Sequence, residues 1–373
     1  KDFQSATVDR VIENFHQDGH SQRLLVADEV GLGKTIVAKG VIARLLMAWI
    51  EQYSCGLVTR PMRVAYICSN LTLAIENRQK LAVFDLSVRD QYVQEPSFGR
   101  LVEIAVKPTQ ASDGKLLEVC SLTPSTSFTL TQGDGNMRER YIIYRCLASA
   151  PRLRMYREAL GALFQNGVKD ESWRNQAQWF NAAGKLDQWI VGDFLTSLET
   201  TPTLSEDALV FLRLDKTPST WIELFEIIGG LPSSSLLTKN NSPWLYALRV
   251  HVRSALARSC ARNLEADLFI LDEFQRFKAL LDTDVESEEA LIANEVFSRK
   301  GNAKTLLLSA TPFKAMSRIE DDESQDAHHA ELHHLLTFLM DKNQASLTEY
   351  EQARKALLGG ILSLRDANLR IED

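Results

Sequence analysis

Apolar residues follow two rhythms along this chain. Short, mostly apolar runs at Leu24-Leu25-Val26-Ala27, Val64 to Cys68, Leu116 to Leu122, Leu268-Phe269-Ile270-Leu271 and Leu306-Leu307-Leu308 predict strands buried on both faces. Between them lie stretches of helical period: Ala6, Val8, Val11, Ile12 and Phe15 near the start, then Ile36 to Ile50, Leu71 to Leu81 and His251 to Leu264. Strands alternating with helices predict an α/β fold, a mostly parallel sheet with helices on both faces, whose ligands sit beyond the C-terminal ends of the strands.

The spacing of these elements is uneven. From Thr35 to Asp272 there are 237 residues, far more than a few βα units of roughly 30 residues each require. The excess centres on 150–250, where Trp173, Trp179, Trp189, Phe194 and Trp221 recur in helical patterns until Leu231-Pro232-Ser233-Ser234-Ser235 breaks them. Such aromatics either pack a helical core or stack nucleic-acid bases; no interleaved basic run accompanies them, which favours the core. The predicted organisation is a first part of the sheet lobe at 1–149, a mostly helical insertion at 150–250, a second part of the lobe at 251–319, and a helical extension at 320–373.

Chemistry gathers where three of the predicted strands end. After Leu24 to Ala27 come Asp28-Glu29-Val30-Gly31-Leu32-Gly33-Lys34-Thr35 and then the long helix. Strand, glycine-bearing turn, Gly-Lys-Thr and helix form the arrangement of a P-loop. Backbone N–H groups and the positive helix end surround phosphates there, Gly31 and Gly33 allow close approach, Lys34 supplies charge, and Thr35 offers a hydroxyl to Mg²⁺. A strict GxxxxGK[ST] pattern would require glycine at position 28, where Asp28 stands.

Leu268 to Leu271 runs into Asp272-Glu273, an apolar strand ending in two carboxylates. Beside a P-loop, Asp272 is the expected Mg²⁺ partner and Glu273 the residue that polarises the attacking water. Ser309-Ala310-Thr311 ends the next apolar run, 37 residues after Asp272.

The segments ADEVGLGKT (27–35), DEFQ (272–275) and SAT (309–311) resemble motifs I, II and III of superfamily 2 helicases and translocases, especially the branch near Swi/Snf-type translocases, where an acidic pair commonly precedes GLGKT. The resemblance implies the first RecA-like lobe of a motor that couples ATP and Mg²⁺ to movement on nucleic acid, with DNA preferred to RNA as partner. Gln275 departs from the family's usual aspartate or histidine, although an amide both donates and accepts. Ser309 and Thr311 would link the phosphate site to nucleic acid. Phe3-Gln4 is similar to the family's glutamine motif, with Gln4 on the adenine edge, or else Gln4 is an ordinary polar residue at a helix start. Ser69, Asn70 and Arg78 lie where motif Ia meets the nucleic-acid backbone, or else Ser69 or Asn70 caps a helix. Thr123-Pro124 is similar to motif Ib. No counterpart of motifs IV to VI is recognisable in the 62 residues after Thr311. A second RecA-like lobe is therefore expected in a longer chain or a partner, and the missing initial methionine reads as a piece of such a chain. Similarity to bacterial helicase-like proteins through DEFQRF and LLLSATPFK points toward genome maintenance or phage defence.

Composition alters this picture little. The chain has 373 residues, 45% apolar and 24% charged, as globular proteins do. Its 42 basic against 49 acidic residues give a net charge of −7, which excludes a coat of basic surface but not a local basic track. The most apolar stretch, Ile36 to Ile50, is broken by Lys39 and Arg44 and is too short for a bilayer. Five scattered cysteines without a CxxC pair read as reduced thiols, so the cytoplasm is the expected location. The competing function is a P-loop scaffold or ATPase switch within a larger complex; retention of Lys34, Thr35, Asp272 and Glu273 favours turnover.

Overall fold

The computed structural model describes residues 2–17, 21–27, 33–94, 100–107, 114–123, 127, 133, 135–232, 243–273, 288–297, 303–309, 333, 335–340 and 343–369. Gly31, Gln275 and Thr311 of the sequence-derived site lie outside them.

The strands are β1 (Arg23–Ala27), β2 (Met62–Ile67), β3 (Val93–Gln94), β4 (Val106–Lys107), β5 (Leu117–Leu122), β6 (Lys185–Leu186), β7 (Leu268–Asp272) and β8 (Lys304–Ser309). Six of them form one sheet in the order β1-β8-β7-β2-β5-β3, and every pairing in it is parallel. The α/β prediction with a parallel sheet is thus met. Strands β4 and β6 form a separate antiparallel pair.

Alternation along the strands assigns the two faces. Val64, Tyr66, Leu268, Ile270, Leu306 and Leu308 pack with residues of three helices, α1 (Asp2–His16), α2 (Lys34–Ser54) and α3 (Leu71–Leu81). Their neighbours Ala65, Ile67, Phe269, Leu271 and Leu307 face the other way. A side-chain period of two turns one apolar strand into two core surfaces. On the first face α1 and α2 approach closely at Gly40, where an added Cβ would come within 2.6 Å of Val8.

The second face is covered by helices from the long interval between β5 and β7. After the short α4 (Leu86–Tyr92), these are α5 (Met137–Ser149), α6 (Arg157–Gln165), α7 (Asp170–Ala183), α8 (Gln188–Ser197), α9 (Glu206–Leu212), α10 (Trp221–Gly229) and α11 (Pro243–Arg262), joined by α12 (Glu288–Phe297). The described helices of 150–250 share a core with the sheet. Phe164, Phe194 and Phe225 belong to the same apolar cluster as Phe269 and Leu271. Trp173 meets Tyr141 edge-on at 5.0 Å, Trp221 stacks on His251 at 4.2 Å, and the Arg138 guanidinium lies 4.3 Å over Trp179. Trp189 differs, being 80% exposed. A buried ion cluster ties this layer together: the Glu139 carboxylate on α5 accepts from Arg253 of α11 at 3.2 Å and from Arg100 at 3.0 Å. Glu139 also closes a capping box with Asn136 at the start of α5. Paired cations are what make a buried carboxylate tolerable. The last helix described is α13 (Gln344–Leu369).

No helix among the described residues is long and apolar enough to cross a membrane.

Candidate functional site

Register places the chemistry. Ala27 pairs with Ser309 across β1 and β8, and Leu308 pairs with Asp272 across β8 and β7. Ile67 pairs with Leu271 on one side and Leu122 on the other. Because all these strands run parallel, the residues that leave their C-terminal ends emerge together. The start of α2 at Gly33-Lys34-Thr35, the Asp272-Glu273 pair, Ser309, Ser69-Asn70 and Thr123 therefore lie toward one edge of the sheet, although Thr35 and Asp272 are 237 residues apart.

Local sequence explains each placement. Gly33 is the N-cap of α2 and sits at φ 90°, a left-handed conformation that a side chain would strain. It has no side chain to satisfy the first-turn N–H groups, and no acidic residue lies in that turn. Lys34 and Thr35 open the helix, half-buried. Gln4, in the first turn of α1, brings its amide against this turn: a Cβ on Gly33 would come within 2.6 Å of Gln4 Nε2. The glutamine near the N-terminus and the Gly-Lys-Thr turn are thus neighbours in space.

Asp272 and Glu273 are both half-buried. Tyr66 donates its hydroxyl to Asp272 Oδ2 at 2.5 Å, and the Asn77 amide donates to the Tyr66 oxygen at 2.9 Å. Burial raises the Asp272 pKa above the ordinary carboxylate range, and the charge of Glu273 adds to the rise, while the Tyr66 hydrogen bond and the nearby Lys34 ammonium oppose it. Burial, together with the charge of Asp272, holds the Tyr66 phenol protonated far above its usual range, so it remains a donor. Glu273 follows the strand at φ 54°, rare for a residue with a side chain. Its N–H donates to Leu308 O at 3.0 Å, and Ser69 Oγ donates to its Oε2 at 3.1 Å.

The remaining sequence candidates fall into place unequally. Asn70 is a helix cap: its side-chain oxygen accepts from Thr72 N at 2.8 Å and Leu73 N at 3.3 Å. Thr123 and Ser309 are fully buried at their strand ends, so neither side chain is presented to solvent. Arg78 is half-buried on α3, and burial lowers its pKa. Sequence reasoning missed Tyr66 and Asn77. Tyr66 was readable only as an apolar strand residue, and its one signal was a phenol three residues before Ser69.

Neither a protein-family model nor a curated protein matches the chain.

The electrostatics of Asp272 yield a stability prediction for the nucleotide-free protein. A carboxyl whose folded pKa is raised contributes full stability below its unfolded pKa and loses that contribution as pH rises through the folded value. At neutral pH the ionised Asp272 therefore destabilises the fold. Asp272→Asn removes the charge while an amide oxygen can still accept from Tyr66. We expect it to raise the melting temperature at pH 7.5 by roughly 1–3 °C, with a gain that shrinks as the pH is lowered and Asp272 takes up its proton. A lower melting temperature for the variant at neutral pH would contradict this electrostatic account.

Proposed function

We propose that this chain is the ATP-binding, RecA-like lobe of a helicase or nucleic-acid translocase that hydrolyses Mg-ATP. One observation carries it: the Gly33-Lys34-Thr35 helix start, the Asp272-Glu273 pair and Ser309 meet at one edge of a parallel sheet, on strands ordered β1-β8-β7. Ligand sites in open parallel sheets form at this edge.

The residues present suit both the nucleotide and its metal. A helix start with a glycine cap and no acid in its first turn favours an anion. The Lys34 ammonium lies close enough to Asp272 to favour its charge, which sets a phosphate-binding cation beside a carboxylate. Asp272 carries a charge that burial opposes, a fitting partner for a divalent cation. Thr35 and Asp272 would hold Mg²⁺, which when bound neutralises phosphate charge. Lys34 grips the phosphates, Glu273 orients the attacking water and accepts its proton, and Gln4 is placed to read the base. Gln275 would keep the contact to motif III through its amide, and Thr311, with Ser309, would link the phosphate site to nucleic acid. A further cation would come from a second RecA-like lobe, in the same longer chain or a partner. DNA is the preferred track, and genome maintenance or phage defence the preferred setting. All five cysteines are free, four of them buried, which suits the reducing cytoplasm.

The deciding experiment measures Mg-ATP hydrolysis by the chain with duplex DNA, single-stranded DNA, RNA and no nucleic acid. Turnover that rises with DNA supports a motor. Nucleotide binding without turnover under any condition would move the protein to a nucleotide-binding scaffold or switch, and absence of binding would overturn the nucleotide site.

A further inference from the structure

We propose that Tyr66, aimed by Asn77, is a positioning residue that holds the Asp272 carboxylate in the orientation in which it receives Mg²⁺; the proposal rests on the Mg-ATP site above. Strand geometry brings the three residues together. Tyr66 pairs with Ile270 in the β2–β7 register, and Asp272 stands two residues further along β7, hence on the same face of the sheet. The Tyr66 side chain reaches along that face, and its hydroxyl meets Asp272 Oδ2 at 2.5 Å. Asn77 arrives from α3, where it lies half-buried on the helix side that carries the fully buried Ala74 and Leu81. Its Nδ2 donates to the Tyr66 oxygen at 2.9 Å.

The direction of this hydrogen-bond chain follows from what each group can donate. An ionised carboxylate only accepts, so the phenol gives its one proton to Asp272 and accepts from Asn77. Lys80 Nζ donates to Asn77 Oδ1 at 3.4 Å, which keeps Nδ2 as the end of the amide that faces Tyr66. Each polar group therefore has one orientation. The Asp272 side chain is pinned through Oδ2 and does not turn freely about its last bond.

Packing alone would be served by apolar residues at both positions. Tyr66 is 1% exposed, and the strand residues that share its face include Val64, Leu268, Ile270, Leu306 and Leu308. Phenylalanine would fill the same space, and leucine at position 77 would continue the apolar side formed by Ala74 and Leu81. A phenol and an amide stand there instead, and they converge on one carboxylate. Burying such groups costs free energy unless they are paired. Partners behind a metal ligand orient it and tune its affinity, which is the part this pair is placed to play behind Asp272.

The test titrates Mg²⁺ into wild type, Tyr66→Phe and Asn77→Ala and reads affinity for a fluorescent ATP analogue. A parallel titration with Mn²⁺ and ADP reads bound metal by paramagnetic resonance, and circular-dichroism melting without metal checks that each variant folds. Tyr66→Phe should raise the half-saturating metal concentration about tenfold or more in both titrations, the usual cost of losing a partner behind a metal ligand. Affinity for the analogue in EDTA should stay at the wild-type value, since Lys34 and the start of α2 are untouched. Asn77→Ala leaves the phenol in place but unaimed, and should shift the metal dependence the same way by about twofold to fivefold, the effect of one ordinary hydrogen bond. A loss of packing would instead lower the melting temperature and the metal-free affinity with no selective change in metal dependence. Metal half-saturation equal to wild type in either folded variant overturns the proposal and leaves the ATP site standing. If wild type shows no metal-dependent nucleotide binding, the Mg-ATP assignment itself falls, and the proposal with it.

Discussion

Lys34→Ala is expected to weaken Mg-ATP binding by about 10²-fold or more and to abolish measurable turnover, with little change in thermal stability. The magnitude follows from the loss of charge-assisted hydrogen bonds to phosphate, each worth roughly 1.5–3 kcal/mol. Two effects act in the same direction. The ammonium no longer grips the phosphates, and Asp272 loses a neighbour that favours its charged form, so the metal partner is less ready. Stability should be spared because Lys34 is half-buried at the first position of α2 and belongs to neither apolar cluster. Alanine is also the best helix former. Titration with a fluorescent ATP analogue, paired with circular-dichroism melting, reads both halves of the expectation. Wild-type affinity and turnover in the variant would remove the turn before α2 from the nucleotide site.

The sheet was legible because its strands are buried on both faces. Apolar runs such as Leu268 to Leu271 announce themselves without knowledge of what packs on them, and β7 begins at Leu268 and reaches only one residue further. Helix boundaries were less legible. His251 to Leu264 marks only the last part of α11, which begins at Pro243. The early turns do bury one side, but Arg249 and Arg253 lie on it beside Trp244, Leu245 and Leu248, and a buried face that carries charged residues blurs the apolar stripe by which a helix is read.

The helical interval shows a different limit. Its aromatic spacing foretold packing for Trp173, Trp179 and Trp221, yet it could not foretell that these helices share a core with the sheet. That relation depends on Ala65, Ile67 and Leu307 facing away from α2, a property of strand pairing and not of the interval itself. The same holds within the site. Lys34 and Asp272 were readable as separate chemical groups, each from its own flanking strand. The Tyr66–Asp272 and Ser69–Glu273 hydrogen bonds join residues more than two hundred positions apart, and only the β2–β7 pairing brings them within reach.

Glu273→Gln should separate binding from chemistry. Glutamine has nearly the shape of glutamate, and its amide oxygen can accept from Ser69 as the carboxylate does. The backbone bond from residue 273 to Leu308 O is untouched, and the unusual φ of 54° must be met by either side chain. The substitution therefore removes a negative charge and a proton acceptor and little else. Asp272, Thr35 and Lys34 remain, so nucleotide affinity should stay within about threefold of wild type, a difference under 1 kcal/mol. Turnover should fall by about 10²–10⁴-fold, the usual contribution of a positioned general base. A single-turnover assay with radiolabelled ATP distinguishes the two quantities: nucleotide should be retained by the variant as ATP, whereas wild type converts it to ADP. Unchanged cleavage would show that another group activates the water. Lost binding would instead give Glu273 a structural part in shaping the end of β7, and the contrast with Lys34→Ala, where binding itself is expected to fail, would disappear.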